Sequence, residues 1–249
     1  MIYQGFAYIY DQLMKDAPYG QWVNLIEKSI SLYLPGASTL LDVGCGTGEI
    51  SVLLANKKQL SVTGVDLSED MLTVAQSKAE NNKTNILFLK QDMRNLTGFP
   101  NPFDVITICC DSLNYLETKQ DVHATFEAVH SQLQNEGLFI FDVHSLHKIH
   151  TVFANATFAD QDEEVSFIWN SFIGEEPNSI EHDMTFFVKR DEFYERYDEL
   201  HYQRTFSIEE YTMWLKEASF EILTICGDFD LANQPNEKTE RVFFICKKR

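Results

Sequence analysis

The sequence has little positive charge. It carries 20 Lys and Arg against 38 Asp and Glu over 249 residues, which gives a formal net charge of −18. Proteins that bind nucleic acid approach the phosphate backbone with clustered cations, whereas an acidic chain repels that backbone. Nucleic acid is therefore not expected as a partner.

Long apolar runs and a basic leader are also missing. No run approaches the roughly 20 apolar residues that are needed to span a bilayer, and the first residues, MIYQGFAYIYDQLMKDAP, do not place basic residues before an apolar core. The cysteines are odd in number and show no CxxC spacing: they are Cys45, Cys109, Cys110, Cys226 and Cys246. We expect a cytoplasmic protein without a membrane anchor.

Apolar runs alternate with helical patterns in the first part of the chain. A helical stripe over residues 20–34 comes first, and most of the runs are then separated by apolar residues at helical spacing. The runs suit strands that are buried on both faces; they cover residues 39–43, 61–66, 85–92, 103–110 and 137–143. This alternation predicts an α/β fold with a Rossmann-like, doubly wound and mostly parallel sheet.

The pattern changes after the fifth run. Aromatic and β-branched residues separated by turn signals predict antiparallel β structure over residues 165–174, 179–190 and 193–206. We therefore predict an α/β domain, residues 1–145 and 207–249, that is interrupted by an antiparallel β insertion, residues 146–206. The insertion is expected to serve as a lid, an acceptor contact or a dimer contact.

The α/β pattern resumes after the insertion. Ser207 and Glu210 have the spacing of a capping box at the start of a helix. Residues 220–229 and 241–248 then have the composition of two closing strands.

A glycine-rich turn follows the first predicted strand, in the stretch TLLDVGCGTGE. Gly44, Gly46 and Gly48 lie at every second position and let a ligand approach the backbone closely. A phosphate-binding P-loop would place Lys after the last glycine, where this chain has Glu49. A dinucleotide fingerprint has different spacing, and a diphosphate would lie badly between Asp42 and Glu49. The turn therefore favours a ligand that is not a diphosphate.

Carboxylates follow the next three predicted strands. Asp66 and Asp92 close the second and third strands, and Asp111 follows the fourth. Open α/β sheets bind ligands at the carboxyl edge, and a carboxylate there can accept hydrogen bonds from both hydroxyls of a ribose. These residues predict a site for an adenosine-bearing cation.

Five segments resemble the successive motifs of the class I S-adenosylmethionine-dependent methyltransferases: LLDVGCGTGE, VTGVDLSEDML, FLKQDMRNL, FDVITICCDSLNYL and EGLFIFDVHS. The resemblance implies a seven-stranded sheet whose last strand is antiparallel and inserted between its neighbours. It implies S-adenosyl-L-methionine as the cofactor and S-adenosyl-L-homocysteine as the product. The cofactor-binding residues that it implies are Asp42, Gly44, Cys45, Gly46, Gly48, Asp66, Leu67, Met71, Asp92, Met93 and Asp111.

The same resemblance implies a role for several of these residues. Gly44 and Gly46 would lie under the methionine part of the cofactor, and Asp66 would hold the ribose. Asp92 and Met93 would flank the adenine, while Asp111 would lie near the amino-acid end. For Asp92 and Asp111 the alternative is a carboxylate that caps a helix at a strand end.

The chain is more closely similar to small bacterial methyltransferases with an N-terminal YxxxYD-type segment and a β-rich insertion after strand five, as in the deoxysugar amine and glycine N-methyltransferases. YIYDQLM matches that segment. In such relatives the N-terminal tyrosines close over the cofactor, and an aromatic face attracts a sulfonium. This implies Tyr10 as a cofactor contact, and we assign Tyr3, Asn114 and Tyr115 to the acceptor. For Tyr3 and Tyr10 a packing role is the alternative.

His144 is the candidate catalytic residue. It lies just past the fifth predicted strand, where a histidine could take a proton from an amine or hydroxyl. A helix-capping or core histidine is the alternative. His147 and His150 follow at helical spacing, which spreads the three rings over about 120 degrees, a poor arrangement for one ion. No metal is predicted.

The predicted reaction is direct displacement of a methyl group from the cofactor to a small-molecule acceptor, with an amine as the candidate nucleophile. Positioning supplies most of the acceleration in such a reaction, so few catalytic residues are required. A non-catalytic cofactor-binding protein that acts through a protein partner stays open, as does a nicotinamide-dependent oxidoreductase. Both a monomer and a homodimer are compatible with the sequence.

Overall fold

The computed structural model describes residues 7, 10, 11, 13–57, 60–161 and 163–249. Within them the helices are α1 (Tyr19–Tyr33), α2 (Glu49–Asn56), α3 (Glu69–Asn81), α4 (Lys119–Gln132) and α5 (Ile208–Glu217). The strands are β1 (Thr39–Val43), β2 (Ser61–Asp66), β3 (Leu87–Lys90), β4 (Phe103–Ile108), β5 (Leu133–His144), β6 (Thr157–Gln161), β7 (Val165–Ile173), β8 (Ser179–Arg190), β9 (Phe193–Arg204), β10 (Phe220–Gly227) and β11 (Arg241–Lys248).

The main sheet has seven strands in the order β10-β11-β5-β4-β1-β2-β3. Strands β1 to β5 pair in parallel, whereas β11 is antiparallel to β5 on one side and to β10 on the other. The predicted α/β class and the inserted antiparallel last strand are confirmed. The carboxyl ends of the parallel strands therefore meet at one edge, which we call the carboxyl edge.

Two apolar layers cover the main sheet because its central strands are apolar on both faces. On one face α4 and α5 contribute Phe126 and Tyr211 to the core. On the other face α1 and α2 contribute Trp22 and Leu54. No helix in the described part of the chain is both long and apolar enough to cross a membrane.

Side-chain caps fix where three helices begin. The Ser68 side chain accepts a hydrogen bond from the Met71 backbone at the start of α3. Ser207 and Glu210 form the predicted capping box of α5, and the Thr118 side chain accepts from the Asp121 backbone at α4. Such caps satisfy backbone donors that the first helical turn leaves unpaired.

Several element bounds differ from the prediction. Strand β5 begins at Leu133 rather than Gly137, because Phe103 pairs with Leu133 and the register then shifts along β4. Strand β4 ends before Cys110, which has a φ of 56°. A π-helical segment, Lys148–Phe153, and the strand β6 were not predicted. Strand β6 is mostly exposed and shows no apolar alternation, so the sequence carries no strand signal there.

Strands β6 to β9 form a separate antiparallel sheet in chain order. Side chains alternate across a strand, and one set faces the carboxyl edge, where Gln203 and His201 contact Asp111 and Tyr115. We call this set the inner face. Its members are Val165, Phe167, Trp169, Ser171, Ile180, His182, Met184, Phe186, Val188, Tyr197, Glu199, His201 and Gln203.

Candidate active site

The glycine turn between β1 and α2 is held against β2. The backbone N–H groups of Gly44 and Cys45 both donate to the Val65 carbonyl, at 2.8 and 3.0 Å. Gly44 has a φ of 69°, and a Cβ there would lie 2.8 Å from the Ser112 Cβ. A Cβ at Gly46 would meet nothing within 4 Å. The turn thus packs closely on the loop after β4 while leaving space open above Gly46, as a cradle for a ligand requires.

Asp66 ties the glycine turn to the start of α3. One carboxylate oxygen accepts from the Gly46 backbone at 2.8 Å, and the other accepts from the Ser68 backbone at 2.9 Å. Burial raises the pKa of Asp66, while these backbone hydrogen bonds oppose the rise. Each oxygen still has a lone pair, so the geometry fits the hydroxyls of a ribose.

Asp42 lies beneath the glycine turn. It is 2% exposed, and its carboxylate accepts from the Ser51 and Thr107 hydroxyls at 2.5 and 3.0 Å. Its carboxylate is therefore engaged beneath the turn and does not face the open space above Gly46. Burial raises the pKa of Asp42 to about 6, although both hydroxyl hydrogen bonds oppose the rise.

The raised pKa of Asp42 makes stability depend on pH. Between the unfolded value of 3.8 and the folded value of about 6, the folded state binds more protons than the unfolded state, so the free energy of unfolding falls as pH rises. The drop is on the order of 2–3 kcal/mol. Asp42→Asn cannot ionise, so urea unfolding of this variant should lack the drop between pH 4 and 7. An identical pH dependence in the variant and the wild type would contradict this assignment.

Asp92 and Met93 follow β3. The Arg94 side chain donates to both carboxylate oxygens of Asp92, at 3.0 Å from Nε and 2.6 Å from Nη2. These hydrogen bonds lower the pKa of Asp92. Met93 lies beside Gly44, with its Cε 3.6 Å from the position of a Cβ on that glycine. The structure therefore brings Met93 to the glycine turn and holds Asp92 in a fixed, ionised state.

The residues at the start of α3 differ in their exposure. Leu67 is 62% exposed, which leaves its side chain free to cover a planar ligand at this edge. Met71, like Tyr10 and Leu13, packs against the apolar cluster of Val165, Phe186 and Val188 on the inner face. Gly48, also in the turn, has a φ of 75° and no room for a Cβ, which would lie 2.9 Å from the Ala75 Cβ.

Asp111 belongs to a buried ionic network. Its carboxylate accepts from Arg241 Nη2 and from Gln203 Nε2, each at 2.9 Å, and lies 3.4 Å from His144 Nε2. Burial alone would raise the pKa of Asp111, but the charge of Arg241 and the hydrogen bonds of Arg241 and His144 hold that pKa well below its ordinary value. Asp111 is therefore ionised.

Asp142 also pairs with the guanidinium of Arg241, the partner of Asp111. It forms a buried ion pair with Arg241 and accepts from Trp22 Nε1 at 2.7 Å. It also accepts the backbone N–H groups of Cys110 and Asp111, at 3.0 and 3.1 Å. The network therefore fixes the left-handed turn at residues 110 and 111 and brings β4, β5, β11 and α1 together.

His144 is buried within this network. Its side chain is 4% exposed, and burial lowers its pKa, although Asp111 opposes the change. Its ring packs edge-on against Phe153. The buried Nδ1 atom has no hydrogen-bond partner among the described residues. The ring is thus neutral with an unused nitrogen, and its role as a proton acceptor stays a prediction.

Asn114 and Tyr115 connect the carboxyl edge to the second sheet. Asn114 is 0% exposed; it donates to the Arg204 carbonyl at 2.8 Å and accepts from the His144 backbone at 3.0 Å. Tyr115 is 48% exposed, and its hydroxyl lies 2.9 Å from His201 Nδ1. Asn114 is therefore a buried bridge, whereas Tyr115 presents a ring to the space at the edge.

The N-terminal segment is fastened to the glycine turn. Asp11 accepts from the Thr47 hydroxyl at 2.5 Å and pairs with Lys78 at 2.8 Å. Tyr10 is half-buried and packs with Met71 against the cluster of Val165, Phe186 and Val188. Tyr10 therefore packs on the inner face, and its contact with the cofactor stays a prediction. Tyr3 lies outside the described residues.

Sequence reasoning missed Arg241, Asp142 and Gln203. Two of them carried a signal, because a charged residue inside or at the start of an apolar strand must find a partner. Asp142 interrupts the run GLFIFDV and Arg241 opens RVFFICKK. In the described part of the chain, no three His, Cys, Asp or Glu side chains converge to hold a metal ion.

The chain matches known methyltransferases over its whole length. Residues 40–137 match the methyltransferase domain family model. YqeM of Bacillus subtilis, a methyltransferase by name, is 52% identical over 248 residues, which are 100% of this chain and 98% of YqeM. The crystal structure of an S-adenosylmethionine-dependent methyltransferase from Clostridium acetobutylicum gives a TM-score of 0.89 at 32% identity and covers 100% of this chain and 99% of that one.

A further solved structure shows the same fold. S-adenosylmethionine-bound CalS10, an amino pentose methyltransferase from Micromonospora echinaspora, gives a TM-score of 0.75 at 19% identity and covers 97% of this chain and 96% of that one.

A parallel sheet with an open glycine turn and carboxylates at its carboxyl edge defines a Rossmann-like enzyme that binds a nucleoside cofactor. With these comparisons, the chain belongs to the S-adenosylmethionine-dependent methyltransferases, and S-adenosyl-L-methionine is its cofactor. This family membership favours methyl transfer over a nicotinamide-dependent oxidation.

Proposed function

We propose that this methyltransferase acts on a small molecule whose nucleophile is an amine, in the space between the carboxyl edge and the inner face. This proposal rests on one observation: the second sheet covers the carboxyl edge. Gln203, His201 and Arg204 of β9 contact Asp111, Tyr115 and Asn114, respectively. An acceptor must fit beneath this cover, which favours a small molecule over a polymer.

The charge of the space favours an amine. Asp66 and Asp111 lie at the edge, and the charge of Arg241 is divided between Asp111 and Asp142. Low-dielectric walls of one sign concentrate ligands of the opposite sign. An amine in its protonated form would be attracted to this edge and an anionic acceptor repelled.

The cofactor residues are part of the proposal. Asp66 holds the ribose hydroxyls, and Gly44, Cys45, Gly46 and Gly48 form the floor beneath the methionine part. The remaining contacts are Tyr10, Leu67, Met71, Asp92, Met93 and Asp111, with Asp42 acting through its charge from beneath the turn. When bound, the cofactor supplies a methyl group on a positively charged sulfur.

An amine must lose a proton before it attacks the methyl group, and a neutral imidazole can accept that proton. Burial lowers the pKa of both His144 and His201, so each ring is available in its proton-accepting form at neutral pH. In this account the α/β domain, residues 1–145 and 207–249, holds the cofactor, and the insertion, residues 146–206, closes over the acceptor and excludes water.

A labelled-methyl screen tests the proposal. The purified chain would be incubated with methyl-labelled S-adenosylmethionine and with small amines, alcohols and carboxylates of matched size. We expect the labelled methyl group to be transferred mainly to amines. Glu69→Ala, an exposed substitution near the proposed site, should retain this transfer. Label that appears only in anionic acceptors would contradict the proposal, and cofactor binding without transfer to any acceptor would favour a non-catalytic role.

A further inference from the structure

We infer that Glu199 is the specificity residue of the acceptor site, where its carboxylate binds a positively charged nitrogen of the acceptor. Nothing in the sequence marked this residue, which lies in the middle of β9. The inference deepens the proposed function and rests on it, because it names the group that selects the substrate class in the same space.

Glu199 is a buried carboxylate with an unfilled pairing position. Its side chain is 5% exposed, and the basic side chain recorded nearest to it, at His201 Nε2, is 4.0 Å away. Among the described residues no hydrogen bond reaches its carboxylate. Burial raises the pKa of Glu199. It also lowers the pKa of His201, so His201 is a neutral neighbour rather than a counter-ion.

The register of the second sheet directs Glu199 toward the carboxyl edge. Glu199 pairs directly with Met184 across the strands and shares the inner face with Tyr197 and His201, two residues to either side. Met184 and Tyr197 pack in the cluster that contains Tyr10 and Met71. Glu199 is therefore surrounded by residues that face the proposed cofactor and acceptor positions.

His201 links Glu199 to Tyr115, an exposed residue at the carboxyl edge. The His201 ring packs edge-on against the Tyr115 ring, and its Nδ1 atom lies 2.9 Å from the Tyr115 hydroxyl. The same His201 ring therefore lies beside both the Tyr115 hydroxyl and the Glu199 carboxylate. Aromatic rings attract cations, so Tyr115 and Glu199 favour the same kind of ligand.

Glu199 differs from the buried carboxylates of the ionic network in its partners. Asp111 and Asp142 are matched by Arg241 and by backbone donors. Glu199 has no such partner among the described residues, although burying an ionised carboxylate without one is costly. A cation of matching size supplied by a ligand would remove this cost, and a protonated amine is the small-molecule group that does so.

The test compares Glu199→Gln with the wild type, both saturated with S-adenosylhomocysteine. Glu195→Gln is the matched control, because Glu195 lies on the same strand but is exposed and paired with Arg190 at 3.1 Å. The probes are benzylamine, tyramine and glucosamine, each titrated calorimetrically beside its neutral counterpart, benzyl alcohol, 4-(2-hydroxyethyl)phenol or glucose.

We expect at least one amine to bind the wild type and Glu195→Gln at least tenfold more tightly than its neutral counterpart does. Glu199→Gln should abolish that preference. The inference is overturned if Glu199→Gln keeps the preference, or if no amine in the set binds the wild type better than its neutral counterpart.

Thermal unfolding without ligand separates recognition from a structural role. Removal of an unmatched buried charge should leave the melting temperature of Glu199→Gln equal to that of the wild type or above it. A clear fall would show that the carboxylate supports the fold and would overturn the inference. Failure of methyl transfer to every acceptor would overturn the proposed function instead, since the amine-binding comparison does not depend on turnover.

Discussion

Replacement of Arg241 by Met is expected to lower the free energy of unfolding by about 3–5 kcal/mol. Arg241 is 9% exposed and is the guanidinium partner of both Asp111 and Asp142. It also lies over the Trp22 ring, with its Cζ 4.8 Å from the ring centre. The substitution would leave two buried carboxylates without their cation, which is why the expected loss is large.

Urea unfolding at pH 7.5 measures this effect. Arg249→Met is the matched control, because the Arg249 pair with Glu221 is exposed, and its loss should change stability by less than about 1 kcal/mol. Equal stability losses in the two variants would contradict the assignment of Arg241 as the ion that holds the carboxyl edge together.

The second large effect is expected on cofactor binding. Asp66→Ala should weaken binding of S-adenosylhomocysteine on the order of 100-fold, which corresponds to about 3 kcal/mol for two hydrogen bonds to a charged carboxylate. The structure supports this because Asp66 is already oriented by the Gly46 and Ser68 backbones. The variant also loses those two contacts, so its folded state must be verified by urea unfolding.

Calorimetric titration of both proteins gives the ratio of dissociation constants. Glu69→Ala serves as the control, since Glu69 lies nearby at the start of α3 and its side chain is 74% exposed. Unchanged binding in Asp66→Ala would show that another residue holds the ribose. It would contradict the proposed role of Asp66 in the cofactor site.

The main sheet was predictable because its strands are continuous apolar runs and its helices begin at recognisable caps. Burial on both faces forces strands such as β1 and β4 to be apolar throughout, and Ser68 and Ser207 mark helix starts with short-range hydrogen bonds. Each of these signals involves only residues that are close together in the chain, so it can be recognised in a single sequence.

The ionic network could not be predicted because its partners are distant in the chain. Arg241 and Asp111 are 130 positions apart, and only the placement of β11 beside β5 brings them together. Glu199 depends in the same way on the register of β8 and β9. Its chemical role comes from burial without a partner, a property that the sequence of an aromatic, charged strand does not reveal.

Asp42 shows how the two kinds of information combine. Its place beside the glycines is read directly from the sequence, but the motif does not reveal the orientation of its side chain. The structure directs its carboxylate toward Ser51 and Thr107 beneath the turn, because the side chain of a residue inside a buried strand points into one of the two layers.

We propose that the cofactor and the acceptor meet between the carboxyl edge and the inner face. A crystal structure of the chain with S-adenosylhomocysteine tests it most directly. We expect ribose hydroxyls within about 3 Å of the Asp66 carboxylate and a sulfur atom that faces the space between Asp111, Tyr115 and Glu199. A cofactor bound away from Asp66, or with its sulfur directed away from the inner face, would contradict it.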